Sequence, residues 1–174
     1  PIISGDIAVP ILIVQHMPPL FTKSLAKSLN IKCQINVKEA EEGERLIPGT
    51  AYIAPGGKQM KISTNATGDG HTIKITDDPP ENNCKPSVDY MFRSVALNFP
   101  GKVTAVVMTG MGNDGATGMR LIKRHSGISI AQDEKSCVVY GMPMEVIKAG
   151  AADLVLPLGM IAAAIEMSLV MAVL

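Results

Sequence analysis

Val103-Thr104-Ala105-Val106-Val107-Met108 runs directly into Thr109-Gly110-Met111-Gly112-Asn113-Asp114-Gly115, and an amphipathic stretch follows from Gly115 to Arg124. An uncharged run rich in branched side chains reads as a strand covered on both faces, as in a parallel sheet. The glycines then mark a tight turn into a helix. Strand, turn and helix in that order form most of a βαβ unit, and Ile128 to Ala131 supplies its second strand. Near the start of the chain, Val9-Pro10-Ile11-Leu12-Ile13-Val14 has the same buried-strand character and leads into a helix over Phe21 to Leu29.

Outward from these two strands the alternation continues. Ala51 to Ala54 reads as a short strand closed by Pro55-Gly56-Gly57. Met60 to Ser63 and Thr72 to Thr76 alternate apolar and polar around Asn65-Ala66-Thr67-Gly68-Asp69-Gly70, which predicts a hairpin at an edge. Pro86 to Leu97 reads as a helix with proline near its first turn. Val138 to Tyr140 reads as a strand, Pro143 to Lys148 as a helix ended by Gly150, and Leu154 to Leu156 as a strand before a last helix. The expected fold class is α/β: a mostly parallel, doubly wound sheet with helices on both faces and a small antiparallel edge hairpin.

Composition narrows the function. The 174 residues fit one domain, and 47% hydrophobic against 18% charged residues excludes a disordered tail. Sixteen basic and sixteen acidic residues balance, which argues against coating nucleic acid or an anionic membrane. The absence of Trp argues against a surface that stacks bases or sugars. Cys33, Cys84 and Cys137 are odd in number and form no close ligand pair, so the spacing indicates neither a disulfide framework nor a metal site. Reduced thiols in a cytoplasmic protein are the simplest reading, and no signal-peptide pattern is present. Leu156 to Leu174 is apolar with only Glu166 charged, but Pro157 and Gly159 interrupt it, so a buried last helix is expected rather than a membrane insertion.

The turn after the central strand carries the most tempting motif. Gly110, Gly112 and Gly115 match G-x-G-x-x-G, and Gln132-Asp133-Glu134 places an acid about 20 residues further on, as in a dinucleotide-binding unit. Asp114 opposes that reading, because its charge would repel a pyrophosphate. A carboxylate there suits a cation or an imidazole better; a turn without chemistry is the third alternative. His16, in Gln15-His16-Met17-Pro18-Pro19, leaves the other buried strand at its carboxyl end. If both strands are parallel in one sheet, His16 and Asp114 reach the same edge and could act as base and orienting carboxylate of a hydrolytic triad. His71 falls in the hairpin and His125 at a helix end, so both are weaker candidates.

Gln15 to Pro19 with Phe21 to Ala26, Val37 to Glu44, Pro48-Gly49, Tyr52 to Gly56, Lys85 to Asp89, Met108 to Gly115, Ala131 to Glu134 and Cys137 to Pro143 together resemble the catalytic domain of the CheB family of chemotaxis protein-glutamate methylesterases. The resemblance implies hydrolysis of glutamate methyl esters on the cytoplasmic helices of methyl-accepting chemoreceptors, with release of methanol, and deamidation of certain glutamines. It implies no metal or organic cofactor. His16 matches the family's histidine and Asp114 its aspartate; the N–H groups near Met111 and Gly112 fall at the oxyanion position. Gln15, Met17 and Lys85 to Asp89 are expected along the substrate approach. The family's nucleophilic serine lies upstream in a turn resembling G-x-S-T-G-G, on a strand near the middle of the sheet, and no such segment is found here. Ser4, in Ile3-Ser4-Gly5-Asp6, is not assigned that role. The expectation is therefore a single methylesterase domain over residues 1–174, truncated at its N-terminus, without a nucleophile and without the receiver domain that partners it in the family. A non-catalytic receptor-binding or dinucleotide-binding α/β module is the alternative.

Overall fold

Two short parallel sheets and one hairpin organise the chain. The computed structural model describes residues 3–65, 68 and 70–171. In chain order the elements are β1 (Ile11–Ile13), α1 (Phe21–Lys32), β2 (Asn36–Glu39), β3 (Thr50–Ile53), β4 (Gln59–Thr64), β5 (His71–Thr76), α2 (Val88–Asn98), β6 (Thr104–Val107), α3 (Ala116–Arg124), β7 (Ile128–Gln132), α4 (Met142–Lys148), β8 (Leu154–Leu156) and α5 (Leu158–Met171). The first parallel sheet has the order β1-β3-β2 and the second β6-β7-β8, while β4 and β5 pair antiparallel. Ala66, Thr67 and Asp69 of the expected hairpin turn lie outside the described residues.

Alternation along the strands explains why both faces are covered. Leu12 and Val14 of the first strand, with Tyr52 and Ala54 beside them, pack into one cluster with α2, α3 and the hairpin. Ile11 and Ile13, with Ala51 and Ile53, pack into a second cluster with α1. Side chains two apart share a face, so one strand feeds two cores. α1 answers with Thr22, Leu25, Ala26 and Leu29 on a single stripe, and α2 with Val88, Met91, Phe92 and Val95. The α/β class with its antiparallel hairpin is the fold observed, the hairpin forming a separate ribbon against α2.

Several details differ from the sequence reading. The parallel strands form two sheets instead of one, because β1 pairs only with β3 and β6 only with β7 among the described residues. β2 was not anticipated: its Asn36-Val37-Lys38-Glu39 buries only Val37 fully and shows no apolar run. Val138 to Tyr140 is not a strand. Val139 is held by the Thr109 side chain and the Gly110 N–H, and Tyr140 makes an isolated bridge to Gly110. The last helix is not fully buried. Ile161 and Ser168 are covered, whereas Met160, Met167 and Val170 are exposed. No helix among the described residues is long and apolar enough to cross a membrane.

Thr22 fixes the loop that follows β1. Its buried hydroxyl donates to Glu39 Oε1 at 2.6 Å and accepts from the Gly56 N–H at 3.0 Å. A side chain at Gly56 would place Cβ 2.5 Å from the Pro18 carbonyl, so the loop carrying His16 rests directly on the turn after β3. Thr22→Val keeps the shape but strands the buried Gly56 N–H, which costs about 1–3 kcal/mol. Urea unfolding should show a lower midpoint at unchanged slope.

Candidate active site

His16 follows β1 and Asp114 follows β6, and the two meet: His16 Nε2 lies 2.8 Å from Asp114 Oδ2. That contact places the carboxyl ends of both strands on one side of the molecule, as expected from the sequence. It also crosses between the two parallel sheets.

Asp114 is buried, with 2% of its surface exposed, so its charge must be answered locally. Oδ1 accepts from the Asp89 N–H at 3.0 Å, the Ser87 hydroxyl at 2.8 Å and Asn82 Nδ2 at 3.1 Å. Oδ2 accepts from the Val88 N–H at 2.7 Å as well as from His16. Val88 and Asp89 open α2, where free N–H groups and the helix dipole favour an anion. Burial pushes the Asp114 carboxyl upward. The hydrogen bonds from His16, the Asp89 and Val88 N–H groups and the Ser87 hydroxyl outweigh it, and the pKa is lowered to about 2.

The support behind Asp114 was only partly expected. Ser87 caps α2, and its own N–H donates to the buried Gln59 Oε1 at 2.8 Å. Residues 86–89 are buried and stand behind Asp114, whereas Lys85 is partly exposed. Asn82 also donates to Asp89 Oδ2 at 2.8 Å, and Asp89 Oδ1 takes the Gly118 N–H at 2.6 Å. Burial pushes the Asp89 carboxyl upward; the bonds from Gly118 and Asn82 oppose this, and the neighbouring Asp114 charge adds to it. Asn82 and Asn83 have φ of 52° and 60°, and Glu81 and Cys84 bond to each other through both main-chain pairs. This is a type I′ turn, which asparagine tolerates. An Asn-Asn pair and a serine ahead of an apolar helix were the available signals.

The glycine loop serves geometry. Gly112 and Gly115 have φ of +91° and +97°, and a Cβ on Gly115 would approach Val88 and Val107 to 3.1 and 3.2 Å. Glycine there lets Asp114 reach α2. The Gly110 carbonyl accepts from the Gly141 and Met142 N–H groups, at 3.1 and 2.8 Å. Met111 projects outward with 82% of its surface exposed. Among the described residues, no group accepts from the N–H of Met111 or Gly112. Gln15 is exposed and Met17 partly buried, on either side of His16.

Other candidates fall elsewhere. The His71 ring lies against Phe99 in the hairpin region, and His125 caps the end of α3. Ser4 precedes β1, at the end opposite His16; its hydroxyl accepts from the Asp6 N–H and its own N–H donates to Glu166.

The arrangement can carry a proton. An ionised Asp114 only accepts, so His16 Nε2 is the donor, and in a neutral imidazole Nδ1 then carries the lone pair. The imidazole side chain is 29% exposed, which lets a reacting group reach it.

Comparison with known proteins gives one family. The family model described as CheB methylesterase matches residues 1–165. The protein-glutamate methylesterase/protein-glutamine glutaminase of Desulfotalea psychrophila is 64% identical over 162 residues, covering 93% of this chain and 44% of that protein. The protein of the same name from Salmonella typhimurium is 50% identical over 151 residues, covering 87% of this chain and 43% of that one. The crystal structure of the Thermotoga maritima CheB methylesterase catalytic domain is similar with a TM-score of 0.90 at 40% identity, covering 97% of this chain and 87% of that one. The chain thus spans less than half the length of the curated relatives it matches.

The depressed pKa of Asp114 makes stability depend on acid. A carboxyl held at about 2 when folded, against 3.8 ordinarily, contributes about 2 kcal/mol above pH 4. That contribution is lost as pH falls from 4 towards 2. Asp114→Asn should remove this part of the acid dependence, leaving the opposite contribution of Asp89 in both proteins. Denaturant midpoints between pH 7 and pH 2 for the two proteins measure the difference.

Proposed function

The chain belongs to the CheB methylesterase family, and from that premise we propose that it is the catalytic part of a protein-glutamate methylesterase and glutamine deamidase. Its substrates are the cytoplasmic helices of methyl-accepting chemoreceptors, so it works in the cytoplasm, alongside a receiver domain in the full-length protein. The observation that carries this reading is the His16–Asp114 pair, with His16 Nε2 2.8 Å from a carboxylate whose pKa is held at about 2.

In this reading His16 takes the proton of a serine hydroxyl as it attacks the ester carbonyl, then returns a proton to methanol as it leaves. Asp114 orients the ring and stabilises the imidazolium. The N–H groups of Met111 and Gly112 have no partner among the described residues, which leaves them able to donate to a developing oxyanion. Water then attacks the acyl group, again through His16. A glutamine side chain follows the same course with ammonia as the leaving group.

The serine is carried on a strand outside this sequence, between β1 and β6. Two observations support that placement. Among the described residues β1 and β6 each end their sheets with one edge that carries no ladder, and the His16–Asp114 bond links the loops at their carboxyl ends. A parallel strand in that place would deliver its own carboxyl end beside His16. A protein substrate fits the apolar rim. Leu20 and Phe21 follow the His16 loop, Met111 lies in the loop that carries Asp114 and Val138 precedes the residue bonded to that loop, all well exposed.

Methanol release from a methylated receptor fragment tests this. A form extended at its N-terminus should be active, and the 174-residue chain should not. His16→Ala in the extended form should lower kcat by about 10⁴-fold or more with the fold retained. Release by the chain as given would put the nucleophile within it, and an active His16→Ala protein would remove the base.

A further inference from the structure

Cys84 stands where its position in the chain gives no warning. A ring nitrogen of His16, the Cys84 Sγ and a carboxylate oxygen of Asp114 all lie within 4.8 Å of one another. The three come from the loop after β1, the turn before α2 and the loop after β6. Their spacing in the chain has no metal-site pattern. We propose that these three residues form a binding site for a soft divalent cation, zinc in particular.

The donor set fits that ion. Thiolate, imidazole and carboxylate are the three ligand types of zinc, whereas magnesium and calcium prefer oxygen alone. One thiolate, one carboxylate and a neutral imidazole together offset the charge of a divalent ion. Tetrahedral zinc, with bonds of about 2.0 to 2.3 Å, sets its ligand atoms roughly 3.3 to 3.7 Å apart. His16 Nε2 and Asp114 Oδ2, now 2.8 Å apart, must open slightly. His16 sits on a loop with a partly exposed side chain and can give way. The other two are held firmly. Asp114 keeps the donors from Ser87, Val88, Asp89 and Asn82, and Cys84 is fixed by the type I′ turn that Asn82 ties to the same carboxylates. The ion replaces the proton shared by His16 and Asp114. The imidazole keeps one proton, on Nδ1, and the thiol proton leaves to solvent. Three protein ligands leave a fourth position for water.

The cation and the proposed base chemistry exclude each other, because an ion on Nε2 moves the imidazole proton to Nδ1, the nitrogen that must stay free to act as base. A bound ion is therefore an inhibitor. That consequence rests on the proposed function; binding itself does not.

Cobalt is the probe, because a thiolate ligand gives it a near-ultraviolet charge-transfer band and a tetrahedral site gives it strong visible bands. The chain should show both at one cobalt per protein, and zinc should displace them. Cys84→Ser should lose the charge-transfer band and weaken binding by about tenfold or more, while Cys33→Ser and Cys137→Ser keep both. His16→Ala, at a partly exposed position, gives a second variant that should also lose tight binding, and thermal melting without metal checks that each variant folds. Absent bands in the parent chain, or bands retained in Cys84→Ser, overturn the site. In the active extended form, zinc should inhibit, a chelator should restore activity, and Cys84→Ser should need about tenfold more zinc. Equal inhibition of both overturns the regulatory part while leaving the methylesterase reading intact.

Discussion

A buried carboxylate that has to stay charged is the constraint on which the site rests. An isolated ion in the interior of a protein costs several kcal/mol. Asp114 avoids that cost with five donors from five residues. Those donors lie on the loop after β1, the turn at 81–84 and the first turn of α2. Meeting the needs of one charge therefore fixes three segments relative to the loop after β6. Ser87 extends the chain of bonds to Gln59 and so to the hairpin. The small polar side chains here look minor in the sequence, yet Asn82 and Ser87 both donate to one buried carboxylate oxygen.

The same contact joins halves that no strand ladder joins among the described residues. β1 and β6 share one apolar cluster through Leu12, Val14, Ala105 and Val107, and α5 reaches both halves through Ser168 to Thr104 and through Leu169. Between the strands, main-chain groups on the two facing edges have no ladder partner among the described residues. Such edges are sites for pairing. A strand that entered there would gain two ladders at once, which is a physical reason for the proposed nucleophile to arrive on a strand instead of a loop.

How much of this was legible in the sequence follows from how local each signal is. Val9 to Val14 and Val103 to Met108 declared themselves as buried strands because burial on both faces leaves an uninterrupted apolar run. His16 and Asp114 were legible because each follows such a strand, and the carboxyl ends of parallel strands share an edge. β2 was not, since an end strand with one fully buried side chain carries no pattern to read. Val138 to Tyr140 misled for the opposite reason: its apolar residues stay exposed beside the glycine loop, where propensity says strand and the tertiary bonds say otherwise. α5 misled in a similar way, since its apolar surface is only partly covered by the residues described. Asn82 and Ser87 as holders of Asp114, and Cys84 as its neighbour, were beyond reach. Their meeting with Asp114 is a property of the fold, set by segments about thirty residues apart in the chain.

The field that poises His16 does not distinguish one cation from another. The hydrogen bonds from His16, the Asp89 and Val88 N–H groups and the Ser87 hydroxyl together hold Asp114 ionised. A proton on the imidazole relaxes that field during the proposed reaction, and a divalent ion would relax it more strongly. What separates the two outcomes is the third ligand. With oxygen and nitrogen alone, an ion at His16 and Asp114 would hold two protein bonds and be lost easily; a sulfur within reach makes three. Cys84 therefore need not take part in ester chemistry to matter there. Its effect follows from geometry alone, because the turn that brings Asn82 to the two carboxylates also brings Cys84 close to the His16–Asp114 pair.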